Sequence, residues 1–499
     1  MLIMEKGPLK DPRWDYYSLL ILASFCTLQI IRWQLLPQSM DIYYHLLTAW
    51  GFIQANGFSG WDFWEYAPFG RVHIYPPAFH IILALFIKLG INKIILAKFF
   101  ETATPLIFLI ILWNFFKENF SGRMAFFVAL FFGSSLSFYL SLLNHIPSTL
   151  AFIFGILACR QLFKLKWLKG SLFLALCFYT HIGIAWFFAL AFIFYAIFNK
   201  EHRGRYFIAF VSAFVLSVPI LLHQLEGLRY IRGLGLNLNE RYLFQLKVGD
   251  YIFAICGLAL IFKKEAKYRF LLSLFLASLV FVIYPFRFFS SEGFFPILIL
   301  SAFFSDNLYE RFNTKYFLIV ISVFVLFVSP TVLLNNWTER PNRGAYKLKI
   351  GDSAFLGMLL ERGQTIWFPK EYLPATDLIR NNSDADDIVY STLNLSGVTL
   401  ASLSGRATAN ALFPEIGPSR PFNPFLVSKI IVFIRQDSRK AVNRIISAYR
   451  LTTIGETKIF MIYKNPLCKY KMQRRHAQVP LRVLILIGVV LVALLWLKF

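Results

Sequence analysis

Long apolar segments separated by short basic loops constrain this chain of 499 residues more than any other feature. A helix needs about 20 apolar residues to cross the hydrocarbon core of a membrane. Twelve segments approach that requirement, near 17–36, 94–116, 124–142, 147–163, 170–180, 183–198, 206–223, 249–262, 270–285, 292–305, 316–334 and 480–498. Hydrophobic residues make up 57% of the chain, more than soluble domains usually contain. We therefore predict a polytopic α-helical membrane protein with about twelve spans.

The basic residues of the chain are concentrated in alternate loops. A formal net charge of +24 could indicate nucleic-acid binding. The lysines and arginines, however, cluster between apolar segments, in the loops 117–123, 160–169, 199–205, 263–269 and 306–315. The positive-inside rule places such loops in the cytoplasm. The sequence therefore predicts a multi-pass cell membrane protein with no nucleic-acid partner.

One further apolar piece, "PPAFHIILALFIKLG" (76–90), is short for a span. If it does not cross, the loop charges alternate consistently, so we predict a re-entrant or interfacial helix that closes a first external loop at 37–92. Residues 1–337 then form a transmembrane domain. Residues 338–475 are less hydrophobic and alternate β-like runs with turns, which predicts a small external α/β module. Residues 480–498 follow as a C-terminal transmembrane helix.

The stretch "SMDIYYHLL" at 39–47 brings polar side chains to the exit of the first span. Ionisable groups at membrane helix ends are costly to desolvate and usually face a cavity. Asp41 could accept a proton from a nucleophile or bind a hard divalent cation. Tyr44 and His45 follow closely and are candidate substrate-binding residues. The structural alternative for Asp41 is an N-cap for a helix that starts at Tyr43.

Further polar candidates fall on the same predicted external face: His145, His181, Arg287 and Glu292. Arginine suits a lipid phosphate because its planar fork contacts two oxygens at once. The structural alternatives are a helix-end polar group for His145, a satisfied structural histidine for His181, and an ion pair between Arg287 and Glu292.

Two acidic residues in the first loop, Asp62 and Glu65, are flanked by Trp61 and Trp64 in "GWDFWEY". That composition suits stacking on a sugar. Tryptophans are also enriched at membrane interfaces for purely physical reasons, so both interpretations stay open.

The whole first loop, "QSMDIYYHLLTAWGFIQANGFSGWDFWEYAPFGRVHIYPPAFH", has an early Asp, an aromatic middle and a closing Tyr-Pro-Pro. In this order and spacing it resembles the first external loop of the oligosaccharyltransferase catalytic subunit and related GT-C glycosyltransferases. The resemblance implies a sugar donor on a polyprenyl or dolichyl phosphate. It also implies that Asp41 is the catalytic aspartate, acting as base or as ligand of Mg²⁺ or Mn²⁺.

The sequence departs from the oligosaccharyltransferase pattern in two places. The second external loop of that family carries an Asp-x-Asp that binds metal, whereas "LLNHIPST" stands here, with Asn144 and His145. The Trp-Trp-Asp-Tyr-Gly motif that recognises the acceptor is also missing. Both departures argue against a true oligosaccharyltransferase and leave the need for a metal open.

The sequence thus predicts a GT-C-type enzyme that transfers a sugar from a lipid phosphate to an acceptor at the external face. A transporter or flippase of a lipid-linked substrate is the first alternative, and it predicts broken spans in two related halves. No such halves are found, and the polar candidates lie at one edge of the membrane. A catalytically inactive GT-C-like scaffold is the second alternative, supported by the missing Asp-x-Asp.

Overall fold

A computed structural model describes residues 12–37, 41–135, 138, 146–230, 243–262, 264–283, 288, 293–328, 331–335, 346–349, 369–413 and 416–496. The helices are α1 Pro12–Ile31, α2 Asp41–Ala55, α3 Ala78–Lys88, α4 Lys93–Asn119, α5 Gly122–Ser134, α6 Ile146–Phe163, α7 Trp167–Phe178, α8 Ile182–Phe198, α9 Arg203–Leu228, α10 Val248–Ile261, α11 Arg269–Ser278, α12 Phe294–Phe312, α13 Lys315–Val323, α14 Pro369–Asn381, α15 Asn394–Ser404, α16 Pro424–Val427, α17 Arg439–Tyr449 and α18 Leu481–Trp496. The strands are β1 Gly57–Phe58, β2 Trp61–Asp62, β3 Arg71–Val72, β4 Leu243–Lys247, β5 Thr331–Asn335, β6 Tyr346–Lys349, β7 Ile388–Ser391, β8 Ala407–Thr408, β9 Ile430–Ile434, β10 Thr452–Glu456, β11 Phe460–Lys464 and β12 Val479–Pro480. The chain is mostly helical, with a small sheet module near its C-terminus.

Polar caps set the starts of several bundle helices. The side chain of Asn92 accepts hydrogen bonds from the backbone N–H groups of Ile94 and Ile95, which begins α4. Ser121 caps α5 in the same way, accepting from the N–H of Met124 at 2.9 Å. Such caps satisfy N–H groups that lack a partner within the helix. The Ser121 cap places the turn between α4 and α5 within the charged segment 117–123.

A described helix lies within each of the twelve segments that the hydropathy pattern predicts, but not always over the whole segment. The prediction of a span at 316–334 is wrong at its end, because residues 331–334 belong to strand β5, which pairs with β4 and β6. Part of the predicted span 124–142 lies outside the described residues. Among the described residues, four helical stretches are long and apolar enough to cross a membrane: Pro12–Leu35, Lys93–Asn119, Ile146–Phe163 and Arg203–Leu228. The other apolar helices are shorter, so the number of crossings stays a prediction. α3 has 11 residues and is therefore ~16 Å long, too short to span the hydrocarbon core.

The predicted basic loops meet at one end of the helical bundle, here called the basic end. Charged side chains from different loops contact one another there. These contacts join Lys117 to Asp15 at 2.7 Å, Arg160 to Glu118 at 2.9 Å, Lys164 to Glu118 at 2.9 Å, and Arg123 to Asp306. Lys169 also donates to the carbonyl of Leu495, near the end of α18, at 2.8 Å. The last helix therefore returns to the basic end.

Aromatic side chains fill the interior of the bundle. The ring of Phe152 in α6 stacks on that of Phe295 in α12, with centroids 4.8 Å apart. Phe187 and Phe188 of α8 contact the same Phe295 ring, at 5.8 and 6.1 Å. Offset and edge contacts of this kind add to the free energy gained by burying apolar area. They join α6, α8 and α12 into one core.

The C-terminal module is a five-stranded mixed sheet with strand order β10-β11-β9-β7-β8. β7 runs parallel to both β8 and β9, whereas β11 is antiparallel to β9 and β10. A parallel pair needs a crossover connection, and α15 supplies it between β7 and β8. The buried side chains of α14 and α15 pack in one cluster with those of α2 and α3.

The first loop and the C-terminal module form a single body at the end of the bundle opposite the basic end, here called the module end. The N–H of Ala67 donates to the carbonyl of Thr408 at 2.9 Å, and the N–H of Thr408 donates to the carbonyl of Trp64 at 2.9 Å. β1 pairs with β12 directly before α18 begins. The sequence assigned the loop and the module to separate domains, but their side chains share one core.

Candidate functional site

The site that the sequence predicts is built on α2, which starts at Asp41. Asp41 is half-buried, while nearly every other residue of this helix is buried. Its carboxylate lies in the first helical turn, where the helix dipole favours a negative charge. The helix therefore begins at Asp41 itself rather than at Tyr43. His45 follows four residues later, on the same face of the helix.

Behind Asp41 lies a buried pair of histidines. Nδ1 of His45 is 2.8 Å from Nε2 of His80 in α3, so one ring donates a hydrogen bond and the other accepts it. Burial lowers the pKa of His80 well below its ordinary value, and the neighbouring imidazoles of His45 and His73 lower it further. Since a neutral imidazole carries one donor and one acceptor nitrogen, the pair fixes α3 against α2 without buried charge.

Tyr75 connects this pair to the next predicted site residue. Its ring centroid lies 5.3 Å from that of His45, 6.0 Å from that of Tyr44 and 6.4 Å from that of His181. The N–H of Ala78 donates to the carbonyl of Tyr179 at 2.8 Å, which fixes the start of α3 to the turn before α8. The first loop therefore brings the α2 site and the α7–α8 turn together.

His181 has a defined structural role at that turn. It is the N-cap residue of α8, and its Nδ1 accepts a hydrogen bond from the N–H of Ile184 at 3.3 Å. It is 5% exposed. The structural alternative considered for His181 thus has direct support, and any substrate role is additional to capping.

Tyr44 and His45 are 3% and 2% exposed, so they offer almost no surface to a substrate. The Tyr44 ring packs edge-on against Phe413 of the module, with centroids 4.9 Å apart. Direct substrate binding by either residue would require the loop to open.

The two acidic residues of "GWDFWEY" form a buried ionic cluster with Arg71. Nε of Arg71 lies 3.2 Å from Oδ2 of Asp62, and its Nη2 pairs with Glu65. Nδ1 of His73 lies 2.7 Å from Oδ1 of Asp62, without the alignment of a hydrogen bond. Burial raises the pKa of Glu65, and the Arg71 guanidinium opposes that rise. Trp64 is fully buried and therefore cannot stack on a sugar.

The same cluster fastens the first loop to the module. Arg71 donates to the carbonyl of Phe413 and, at 3.1 Å, to that of Ile416. The N–H of Leu412 donates to Oε1 of Glu65 at 3.2 Å. The acids and Arg71 thus hold the module in place, and of the two tryptophans of the motif Trp64 is not available for stacking on a sugar.

Three predicted site residues, His145, Arg287 and Glu292, lie outside the described residues. Of the predicted metal ligands, Asp41 alone is described, and no group of three His, Cys, Asp or Glu side chains in the described ranges could hold a metal ion. These ranges therefore do not provide a set of ligands that fits Mg²⁺ or Mn²⁺, and no chemical step is assigned to a metal.

Sequence reasoning missed His80, His73, Arg71 and Tyr75. All four stand in "RVHIYPPAFH", the segment that closes the first loop. A basic residue and two histidines in an otherwise apolar segment are a signal, because each buried polar group needs a partner. The partner of each could not be read from the sequence, since Asp62 and His45 are brought to them by the loop's own fold.

Comparisons with known structures identify the architecture. The oligosaccharyltransferase of Archaeoglobus fulgidus, solved with zinc and sulfate, superposes with a TM-score of 0.54 at 11% identity, over 84% of this chain and 68% of that one. ArnT from Cupriavidus metallidurans bound to undecaprenyl phosphate gives 0.52 at 13% identity, over 92% and 99%. The chain has the GT-C fold. The mycobacterial arabinofuranosyltransferase AftD gives 0.53 at 11% identity, over 91% of this chain and 41% of that one.

The GT-C architecture predicted from the first loop is therefore confirmed, and with it a membrane protein that carries a small sheet module. No protein-family model matches the sequence, and no curated protein matches it either. At 10 to 13% identity the likeness establishes the fold alone. The reaction therefore has to be argued from the site.

Proposed function

We propose that this GT-C protein is a membrane glycosyltransferase that moves a sugar from a polyprenyl or dolichyl phosphate to an acceptor at the external face. The observation that carries the proposal is the placement of Asp41. It is the half-buried carboxylate in the first turn of α2, at the module end of a GT-C bundle. ArnT, which shares this fold, is known in complex with undecaprenyl phosphate.

Asp41 would act as the base in this reaction. It accepts the proton of the acceptor nucleophile as that atom bonds to the anomeric carbon of the sugar. The bond between that carbon and the carrier phosphate breaks, and the phosphate leaves with the electron pair. The protein contributes mainly by positioning the two substrates and stabilising the charge that develops on the phosphate.

The remaining predicted residues take supporting roles in this proposal. His45, fixed by His80, positions the first turns of α2 and hence the Asp41 carboxylate. His181 and His145 line the donor phosphate, while Arg287 binds it through its planar fork and Glu292 orients Arg287. For Tyr44 and His45 we replace direct substrate binding by positioning, because both are buried.

The external location rests on the charges at the basic end. Contacts between the five basic segments join them there. Nζ of Lys264 lies 3.9 Å from Oε2 of Glu310, and Arg269 donates to the carbonyl of Phe198 at 3.3 Å. The positive-inside rule assigns such loops to the cytoplasm. Asp41 and the module lie at the opposite end of the bundle. The donor lipid would then reach Asp41 from the external leaflet.

Purified protein in lipid nanodiscs, incubated with radiolabelled polyprenyl-phosphate sugars, tests the proposal. Replacing Asp41 by Asn should lower transfer by about a hundredfold or more if Asp41 is the base. Asp377→Asn is the matched control, since Asp377 is exposed in α14 and pairs with Arg380 on the surface, at 3.3 Å. Equal transfer by wild type and Asp41→Asn would remove Asp41 from the mechanism.

The two alternatives give different outcomes in the same system. No transfer from any donor, together with movement of a labelled lipid-linked sugar between leaflets, would favour a transporter or flippase. Absence of both activities, with tight binding of another membrane protein, would favour an inactive scaffold. Either result would overturn the glycosyltransferase proposal.

A further inference from the structure

A surface separate from Asp41 combines aromatic rings with arginines at the module end. It consists of Trp61, Phe69, Arg420, Phe422, Tyr470 and Arg475, and is called the arginine patch. The guanidinium carbon of Arg420 lies 3.7 Å from the centre of the Phe69 ring, and that of Arg475 lies 4.2 Å from the centre of the Trp61 ring. Both arginines are exposed, and Tyr470 is 45% exposed.

The aromatic residues of the patch contact one another through Phe69. The Phe69 ring contacts Phe422 and Tyr470, at centroid distances of 5.5 and 6.1 Å. Nε1 of Trp61 donates to the carbonyl of Phe69 at 3.3 Å, which fixes the two arginine-bearing rings relative to each other. The guanidinium groups are therefore held in set orientations over neighbouring rings.

Within the part of the chain that the structure describes, no carboxylate neutralises the two arginines of the patch. Neither Arg420 nor Arg475 forms an ion pair with a carboxylate of the described residues, whereas the adjacent Lys471 and Arg474 pair with acids of the module. The sequence contains no acidic residue after Glu456. An excess of positive charge therefore stands at 469–482, directly before and at the start of the last helix.

The patch lies where the bundle meets the module. Phe58 of β1 pairs with Val479 of β12, and α18 begins two residues later at Leu481. Near the end of α9, Gln224 donates to the carbonyl of Ile74 at 3.4 Å. The segment that carries Trp61 and Phe69 is thus fixed to the ends of two apolar helices, at the level expected for the membrane surface.

We propose that the arginine patch binds the phosphate headgroups of anionic phospholipids in the leaflet at the module end. A guanidinium that stacks on a ring keeps its planar fork free to contact two phosphate oxygens. Aromatic side chains favour the headgroup level of a bilayer, and basic residues next to a membrane helix attract anionic lipid. This binding is independent of the glycosyltransferase proposal, because Asp41 takes no part in it.

Native mass spectrometry of the protein released from nanodiscs tests the proposal. The nanodiscs contain phosphatidylcholine with or without phosphatidylglycerol. Wild type should retain phosphatidylglycerol in preference to phosphatidylcholine. The double variant Arg420→Gln with Arg475→Gln should retain it on the order of tenfold less, because each basic residue at the surface contributes to the attraction.

A matched control removes the same charge elsewhere. Arg439 and Arg444 are exposed on α17, which packs on a separate apolar cluster of the module. Arg439→Gln with Arg444→Gln should change retention by less than about twofold, because these residues lie outside the arginine patch and only basic residues near the headgroups attract anionic lipid. Replacing Arg420 and Arg475 by Lys should recover only part of the binding, because lysine lacks the planar fork.

Three outcomes would overturn the proposal. In the first, wild type and the Arg420/Arg475 double variant retain the same amount of phosphatidylglycerol. In the second, the α17 control loses as much phosphatidylglycerol as that double variant. In the third, glycerol phosphate in solution would compete as effectively as the lipid, which would assign the patch to a soluble phosphate group. Thermal unfolding of each variant verifies that the fold is intact, so that lost binding is not lost structure.

Discussion

The buried cation of the first loop allows a quantitative test of the link between loop and module. Arg71 is 3% exposed and faces the carboxylates of Asp62 and Glu65, which are 1% and 0% exposed. Replacing Arg71 by Met keeps much of the side-chain volume and removes the charge. Two buried carboxylates then lack their counter-ion, and the carbonyls of Phe413 and Ile416 lose their donor.

The expected cost is about 3 to 5 kcal/mol, because breaking a buried ion pair leaves an uncompensated charge in a poorly hydrated place. This loss should lower the free energy needed to open the loop locally from the module, because the lost hydrogen bonds and ion pairs join those two parts. A free-energy change of that size corresponds to roughly two to three and a half powers of ten in the opening equilibrium.

Hydrogen exchange followed by mass spectrometry measures that opening in peptides covering 57–72 and 407–416. We expect exchange there to accelerate by about a hundredfold or more, while peptides of α4 and α6 stay unchanged. Arg435→Met is the matched control. Its partner is Glu456, both side chains are about half exposed, and the expected loss is below about 1 kcal/mol.

Acidification provides a second readout of the same variant. Burial raises the pKa of Glu65, and without Arg71 the guanidinium no longer opposes that rise, so the ionised form of Glu65 destabilises the fold at neutral pH. Lowering the pH protonates this carboxyl, and the accelerated exchange should slow as the pH falls from about 7 to about 5. Exchange in Arg71→Met within threefold of wild type at pH 7 would refute this account of how the loop is held.

Two further predictions concern the packing of α2. A Cβ at Gly51 would lie 2.1 Å from the fully buried Trp64 ring, whereas one at Gly204 in α9 would meet nothing within 4 Å. Gly51→Ala should therefore lower the free energy of unfolding by about 1 to 3 kcal/mol and lower the melting temperature measured by scanning fluorimetry. The melting temperature of Gly204→Ala should match or slightly exceed that of wild type. Equal melting temperatures for the two variants would contradict the packing. His80 has a lowered pKa and is neutral when folded, so its stability contribution is complete above the unfolded pKa of about 6.5 and is lost as the pH falls below it. His80→Gln, which can still donate to His45, should flatten the fall in melting temperature between about pH 7 and 5, and an unchanged slope would exclude His80 as its source.

Hydropathy and loop charge predicted the bundle well. A helix lies within each predicted segment, except that 331–334 at the end of one segment form a strand, and the basic loops meet at one end. Both results follow from local physics, because a membrane span must be apolar along its length and its flanking charges report its orientation. The order of Asp, Trp-Asp and Tyr-Pro-Pro in the first loop also identified the GT-C architecture, since those residues stand close together in the chain.

The candidate site was predicted only in part. Asp41, Tyr44, His45 and His181 were identified as polar residues at helix ends, and their side chains or helices meet around Tyr75. The burial of Tyr44 and His45 could not be predicted, because it depends on α3 and the module covering them. Asp62 and Glu65 looked like surface residues beside tryptophans, yet they neutralise an arginine in the interior.

By itself the sequence determined the membrane class, the helical segments, the separation of basic loops from the polar candidates, and the likeness of the first loop to GT-C enzymes. Only the tertiary structure decided that the first loop and the C-terminal module form one body. Their contacts join residues more than 300 positions apart, such as Arg71 with Ile416. Hydropathy and spacing describe neighbours along the chain, whereas a buried charge finds its partner in space, and only the folded chain brings Arg71 to the carbonyls of the module.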